Sequence, residues 1–227
     1  MEHVNTSTAQ NVTSAETQKV LRNTYMLLSM TLAFSALTAG ISMSMNLGSG
    51  VAMIMSLAAI AIVWFVLPRT ANTAMGLPVV FLFTGLLGAA LGPMLNRYLS
   101  LPNGSEMVMQ ALGGTAIIFF SLSAYVLTTK KDFSFMGGFL FVGLMVVIVG
   151  AIGAMIASYF FGVDISLLSL VISGAVVLLM SGFILFDTSR IINGGETNYI
   201  MATVGLYLNI YNLFTALLHI IGATSDD

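Results

Sequence analysis

Few side chains in this 227-residue chain could carry chemistry, and they gather towards its C-terminus. Asp187 stands in the run Phe183-Ile184-Leu185-Phe186-Asp187-Thr188-Ser189-Arg190. A carboxylate at the end of such an apolar run is either an interfacial group paired with Arg190 or a buried, titratable one. Further on, Gly205, Asn209, Asn212, Ala216 and His219 recur at helical spacing. At ~100° per residue they fall within an arc of about 80°, while Leu206, Ile210, Leu213, Phe214, Leu217, Leu218 and Ile221 cover the other directions. An asparagine amide facing lipid would be left unsatisfied at a cost of ~1–3 kcal/mol, so this stripe must face other helices or a wet cavity. It is either hydrogen-bonding glue between helices or a polar pathway. Asp187, Asn209, Asn212 and His219 are the candidate residues of a proton- or ion-linked path.

Enzyme chemistry finds less support. Ser173-Gly174 and Ser181-Gly182, with His219, have the residue types of a serine and histidine dyad. Serine beside glycine is also ordinary packing material, and no Gly-x-Ser-Gly occurs. There is no P-loop, no His-Glu-x-x-His and no Rossmann glycine pattern. The absence of cysteine removes disulfides, thiolate metal sites and cysteine nucleophiles together. Two histidines, His3 and His219, leave little from which to build a zinc site. The expectation is a protein that is not an enzyme and carries no cofactor and no resident metal.

The elements that must position these residues follow from composition. The chain is 58% hydrophobic and only 7% charged, with a net charge of -2 and a mean hydropathy of +0.99. Such a surface suits the lipid bilayer and excludes a nucleic-acid binder. No charge occurs between Arg22 and Arg69, Arg69 and Arg97, Glu106 and Lys130, Asp132 and Asp164, Asp164 and Asp187, or Glu196 and Asp226. Each interval exceeds the ~20 residues that cross ~30 Å of hydrocarbon. The first holds two spans, split by the turn-forming Asn46-Leu47-Gly48-Ser49-Gly50. This predicts an all-α membrane protein of seven transmembrane helices, near Thr24 to Met45, Gly50 to Leu67, Leu77 to Leu99, Met107 to Thr128, Phe135 to Phe161, Ile165 to Phe186 and Met201 to Ile221. Continuous apolar runs without alternation favour helices over barrel strands.

Lys19, Arg22, Arg69, Lys130, Lys131 and Arg190 then fall on the side of the N-terminus, and Arg97 alone falls opposite. The bias predicts a cytoplasmic N-terminus and a C-terminus outside. Tyr25, Trp64, Tyr98, Tyr125, Phe133, Tyr159 and Tyr199 sit near helix ends, where interface anchors belong. Gly85, Gly88 and Gly92, before a kink expected at Pro93, suit close helix packing, as do Gly137, Gly138, Gly143, Gly150 and Gly153. Residues 1–18 are polar and lack a signal-peptide core, and read as a flexible cytoplasmic tail ahead of a membrane domain over residues 19–227.

Four segments carry a family resemblance: Leu21-Arg22-Asn23-Thr24-Tyr25-Met26-Leu27-Leu28, Gly88-Ala89-Ala90-Leu91-Gly92-Pro93-Met94-Leu95, Phe186-Asp187-Thr188, and Leu206-Tyr207-Leu208-Asn209-Ile210-Tyr211-Asn212-Leu213-Phe214. In order and spacing they resemble the transmembrane Bax inhibitor-1 family across nearly the whole chain after the tail. The polar tail and Gly194-Gly195-Glu196-Thr197-Asn198-Tyr199-Ile200 are most similar to a bacterial branch that modulates an FtsH-type AAA protease.

The resemblance implies a bundle with the seventh helix at its centre and a place in the bacterial inner membrane. It implies two activities. One is regulation of the protease, with its associated membrane regulators as further partners; the protein would act as a poor substrate engaged through its tail, with Met1, Glu2, His3 and Glu16 as candidate engagement residues. The other is a cation or calcium leak, in which an acidic residue at the position of Asp187 pairs with an aspartate of the seventh helix as a proton-sensitive latch. Here the second position is Asn209, so half of that latch is missing. An aspartate and an asparagine cannot share a proton as two carboxylates do. With neutral Asn209 and Asn212, Asp187 would also be a weak calcium site.

Overall fold

A computed structural model describes residues 3–225, with side chains described from Ala15 onwards. Among these residues there are helices and turns but no strands. The helices are α1 (His3–Ser44), α2 (Ser49–Ala61), α3 (Leu67–Thr70), α4 (Gly76–Leu99), α5 (Gly104–Thr129), α6 (Gly137–Phe161), α7 (Ser166–Ile192) and α8 (Tyr199–Ser225). A π-helical turn, Ile62–Val66, joins α2 to α3 and makes them one span. Its wider winding lets Leu67 N–H reach the Ile62 carbonyl just ahead of Pro68, which has no N–H to return to Trp64. Seven helical segments are long and apolar enough to cross a membrane, as the charge-free intervals predict. Half of the apolar window is buried in the third and in the seventh, against 11% in the second and fifth.

The boundaries differ from expectation at two places. α1 starts at His3, so the helix takes in most of the segment whose composition predicts a tail; its apolar, membrane-length part is Ala15–Ser44. Extending a formed helix by further turns costs little once it is nucleated. α7 does not stop at Phe186 but continues through Asp187, Thr188, Ser189 and Arg190 to Ile192. A charge ends an apolar window without ending a helix. The helix stops where Gly194 takes a left-handed φ of +74° and Gly195 N–H returns to the Arg190 carbonyl at 2.8 Å.

The chain divides into two units. The first comprises Met1–Ser100 and Arg190–Tyr207. Here α4 packs against α1 and α2. Gly88 stands against Ser35 and Thr38, and Gly92 against Ser42, so these two glycines let the α1 and α4 backbones approach where any side chain would collide. α4 continues through Pro93. Tyr207 is buried, with its hydroxyl 2.6 Å from Ser35 Oγ and donating to the Thr84 carbonyl at 3.3 Å. Asn198 caps α8: its Oδ1 accepts from Ile200 and Met201 N–H at 2.9 and 3.1 Å, while its Nδ2 donates to the Ala71 carbonyl and Asn72 Oδ1.

The second unit comprises Leu101–Ser189 and Leu208–Asp227. Gly143 faces Leu179 and Gly182 faces Leu140, a reciprocal fit of glycine and leucine between α6 and α7. The loop joining α5 to α6 is tied to α7 by the fully buried Ser189, whose hydroxyl accepts from Phe133 N–H at 2.8 Å and reaches the Lys131 carbonyl at 3.3 Å.

Candidate functional site

The four candidate path residues all lie in the second unit, and two of them, Asp187 and Asn209, meet. Asn209 lies on α8, 6% exposed, and its Nδ2 donates to Asp187 Oδ2 of α7 at 2.7 Å. Asp187 is partly buried and lies inside its helix, not at the end, because α7 runs on beyond it. The neighbouring Thr188 is fully buried, and its Oγ1 has no hydrogen-bond partner among the described residues. Arg190 donates to the Gly195 carbonyl at 3.1 Å and pairs with Glu196 at 3.4 Å, within the first unit.

The polar stripe does not form a single chain of contacts. Asn212 turns back on its own helix, donating to the Leu208 carbonyl at 2.8 Å. His219, farther along α8, stands with its Nδ1 3.0 Å from Ser173 Oγ. The directions opposite the stripe are not left to lipid either: Leu206, Leu213 and Leu218 are fully buried. Of the two serine–glycine pairs, only Ser173 meets the histidine; Ser181 Oγ donates to the Val177 carbonyl of its own helix. Among the described residues, no group of three His, Asp or Glu side chains is placed to hold a metal ion.

Of the candidate engagement residues, Met1 and Glu2 lie outside the described residues, as does the side chain of His3. Glu16 is exposed on α1. It lines a groove of about 380 Å³ with Lys19, Asn23, Gly194, Glu196 and Tyr199, all within the first unit.

Two features escape a reading of the sequence. Ser189 clasps a loop residue 56 positions away, and nothing local marks it. The cap at Asn198 had a local signal, an asparagine just ahead of an apolar helical run. Outside the spans, Asp132 and Asp164 are each held below the usual carboxylate value of 3.8. Hydrogen bonds from Ser134 do this for Asp132, and bonds from Ser166, above all its backbone N–H, for Asp164.

Comparison with known proteins accords with this architecture. The chain is 52% identical over 222 residues to an uncharacterised membrane protein of Vibrio cholerae, covering 98% of this chain and 97% of the other. It is 48% identical over 227 residues, the whole of both chains, to the modulator of FtsH protease YccA of Escherichia coli. The family model for the inhibitor of apoptosis-promoting Bax1 matches residues 17–226. With seven membrane-length helices and a match over nearly its whole length, the chain belongs to this Bax inhibitor family.

Proposed function

We propose that this protein is an inner-membrane regulator that binds an FtsH-type AAA protease as a poor substrate and limits its degradation of other membrane proteins. The observation that carries the reading is full-length similarity, 48% identity with every residue of both chains covered, to a protein named as a modulator of that protease. The basic-residue bias supports it by assigning the N-terminus, and with it the polar residues 1–18, to the cytoplasmic side where such a protease takes hold. Residues 1–18 offer no apolar stripe by which a helix could be held against a partner, so they suit a terminus that is seized and drawn in. The protease's associated membrane regulators are further partners under this reading.

The test is association followed by competition. The protein should co-purify with the protease from its own membrane, and in proteoliposomes it should slow degradation of a second membrane substrate. No association, with an unchanged degradation rate, would sink the proposal.

The Asp187–Asn209 bond favours a second reading, a cation or calcium leak with weakened pH gating. An amide can orient a carboxylate but cannot take up or release a proton beside it. Flux into liposomes loaded with a calcium dye separates the two readings, since a regulator of the protease needs none.

A further inference from the structure

The second unit contains a cavity of about 450 Å³ that neither reading uses. It lies where the end of α6, the beginning of α7 and the end of α8 come together. Ala151, Ala154, Met155, Ile165 and Ile172 give it apolar walls, and Ser158, Ser169, Ser173 and His219 give it a small polar end. No Lys, Arg, Asp or Glu lines it; besides His219, Tyr159 is its one titratable lining group.

Hydrogen bonding settles the chemistry of that polar end. Ser173 Oγ donates its single proton to the Ser169 carbonyl at 3.0 Å. His219 Nδ1 is 3.0 Å from the same oxygen, and the tautomer that satisfies both bonds is the one with Nδ1–H donating to Ser173 Oγ. In that tautomer the proton between them belongs to the histidine, the reverse of a serine activated by a histidine base. What remains is the other ring nitrogen. Neutral His219 offers Nε2 as an acceptor, and protonated His219 offers an N–H donor.

The occupant must match three features. It must be apolar along most of its length. Its head must be small, because Ser173 lies seven residues into α7, about 10 Å below the helix end and beneath the level of phospholipid headgroups. The head must also satisfy Nε2 in either protonation state. A carboxylic acid does so with one shared proton: –COOH donates to neutral imidazole, and –COO⁻ accepts from imidazolium. A ketone, quinone or ester accepts only, and an alcohol, which can do both, stays neutral and offers imidazolium no counter-charge. Met155 and Tyr159, on the rim, are 63% and 83% exposed within membrane-spanning segments, so the opening faces the bilayer, where fatty acids dissolve. We propose that this cavity is a binding site for a free fatty acid, with the acyl chain along α6 and α7 and the carboxyl group on His219 Nε2.

The test uses the full-length protein in liposomes and a photoactivatable, alkyne-tagged palmitic acid. Cross-links should concentrate in peptides spanning residues 151–173 and around His219, and palmitic acid should displace the probe about tenfold better than methyl palmitate, roughly the worth of one hydrogen bond. In His219→Ala that preference should vanish. Should the variant insert or fold poorly, the acid-to-ester ratio in the unmodified protein decides alone. Labelling scattered over the lipid-exposed helices, labelling no stronger than in protein-free liposomes, or equal competition by acid and ester would each overturn the assignment. So would hexadecanol competing as well as the acid, since its hydroxyl can bond Nε2 in either state but cannot supply the carboxylate's charge.

Discussion

At the scale of single residues, the chemistry turns on one amide. Asn209 gives Asp187 a donor at 2.7 Å, and an amide cannot share a proton with a carboxylate as a second carboxylate could. Replacing Asn209 with Asp should create a coupled pair. The pair is tolerated while it holds a proton and repels when both members are charged, so the cost, about 1–3 kcal/mol, should grow as pH rises. Thermal unfolding of Asn209→Asp from acidic to alkaline pH measures this. Calcium-dye flux over the same range shows whether the new pair also gates; a strong pH dependence of flux in the unmodified protein would mean that the latch needs no second carboxylate. One position along, the Thr188 hydroxyl is buried without a partner among the described residues, which burdens the fold with a desolvation cost. Thr188→Val keeps the shape and removes the hydroxyl, and should stabilise by about 1 kcal/mol, read as a higher unfolding temperature in detergent. A loss of stability would mean that a hydroxyl is required there.

At the scale of elements, the spans were legible as gaps between charges, because lipid tolerates few ionised groups and the gaps therefore mark crossings. The helix ends were less legible. Asp187 closes an apolar window, yet α7 runs on to Ile192, since what ends a helix is a backbone break such as the positive φ at Gly194. Charge gaps put Asp187 and Asn209 on successive helices, but their pairing could be expected only through a resemblance, and periodicity alone gave only the stripe on α8. The Ser189 clasp was invisible, because its partners are distant in sequence and have no distinctive residue types. The loop it ties down carries its own prediction. Asp132 Oδ1 accepts from Ser134 N–H at 2.8 Å and starts the short 3₁₀ turn Ser134–Met136. Hydrogen bonds from Ser134, its hydroxyl first and this N–H second, hold the Asp132 carboxyl below its ordinary value, so the ionised form is favoured in the folded loop. Its contribution is present above the unfolded-state pKa of ~3.9 and is lost as pH falls through the lower folded value. Hydrogen exchange at Ser134, corrected for intrinsic rate, should quicken only below that range. In Asp132→Asn, whose amide oxygen still caps, the acid-dependent step should disappear; a step that persists would assign it to another group.

At the scale of the whole molecule, orientation and the N-terminal segment decide whether the chain can meet a cytoplasmic protease. Six of seven basic residues fall on one side of the seven spans, so a reporter active only in the cytoplasm should be silent when fused after Asp227. An active one would reverse the topology and with it the proposed encounter. The segment's own role follows from length and composition. At ~1.5 Å per residue the 42 residues of α1 would extend about 63 Å, twice the hydrocarbon thickness, while the apolar part begins only at Ala15. The residues ahead of it, which include Thr6, Ser7, Thr8, Asn11 and Thr13, have nothing apolar enough to bind them to a core. Under the proposed function, so polar a stretch would give a processive protease a start at little unfolding cost, whereas the apolar spans behind it would resist extraction. Easy engagement followed by slow extraction is what makes a substrate an inhibitor. Removing roughly the first half of residues 1–18 should slow degradation of the protein and leave insertion intact. The shortened protein should then persist longer in cells that contain the protease and be no different from the full-length protein in cells that lack it. Pulse-chase in both backgrounds measures the two half-lives. Equal half-lives for the two forms in the presence of the protease would remove the segment from the mechanism, and engagement would have to begin elsewhere on the cytoplasmic face.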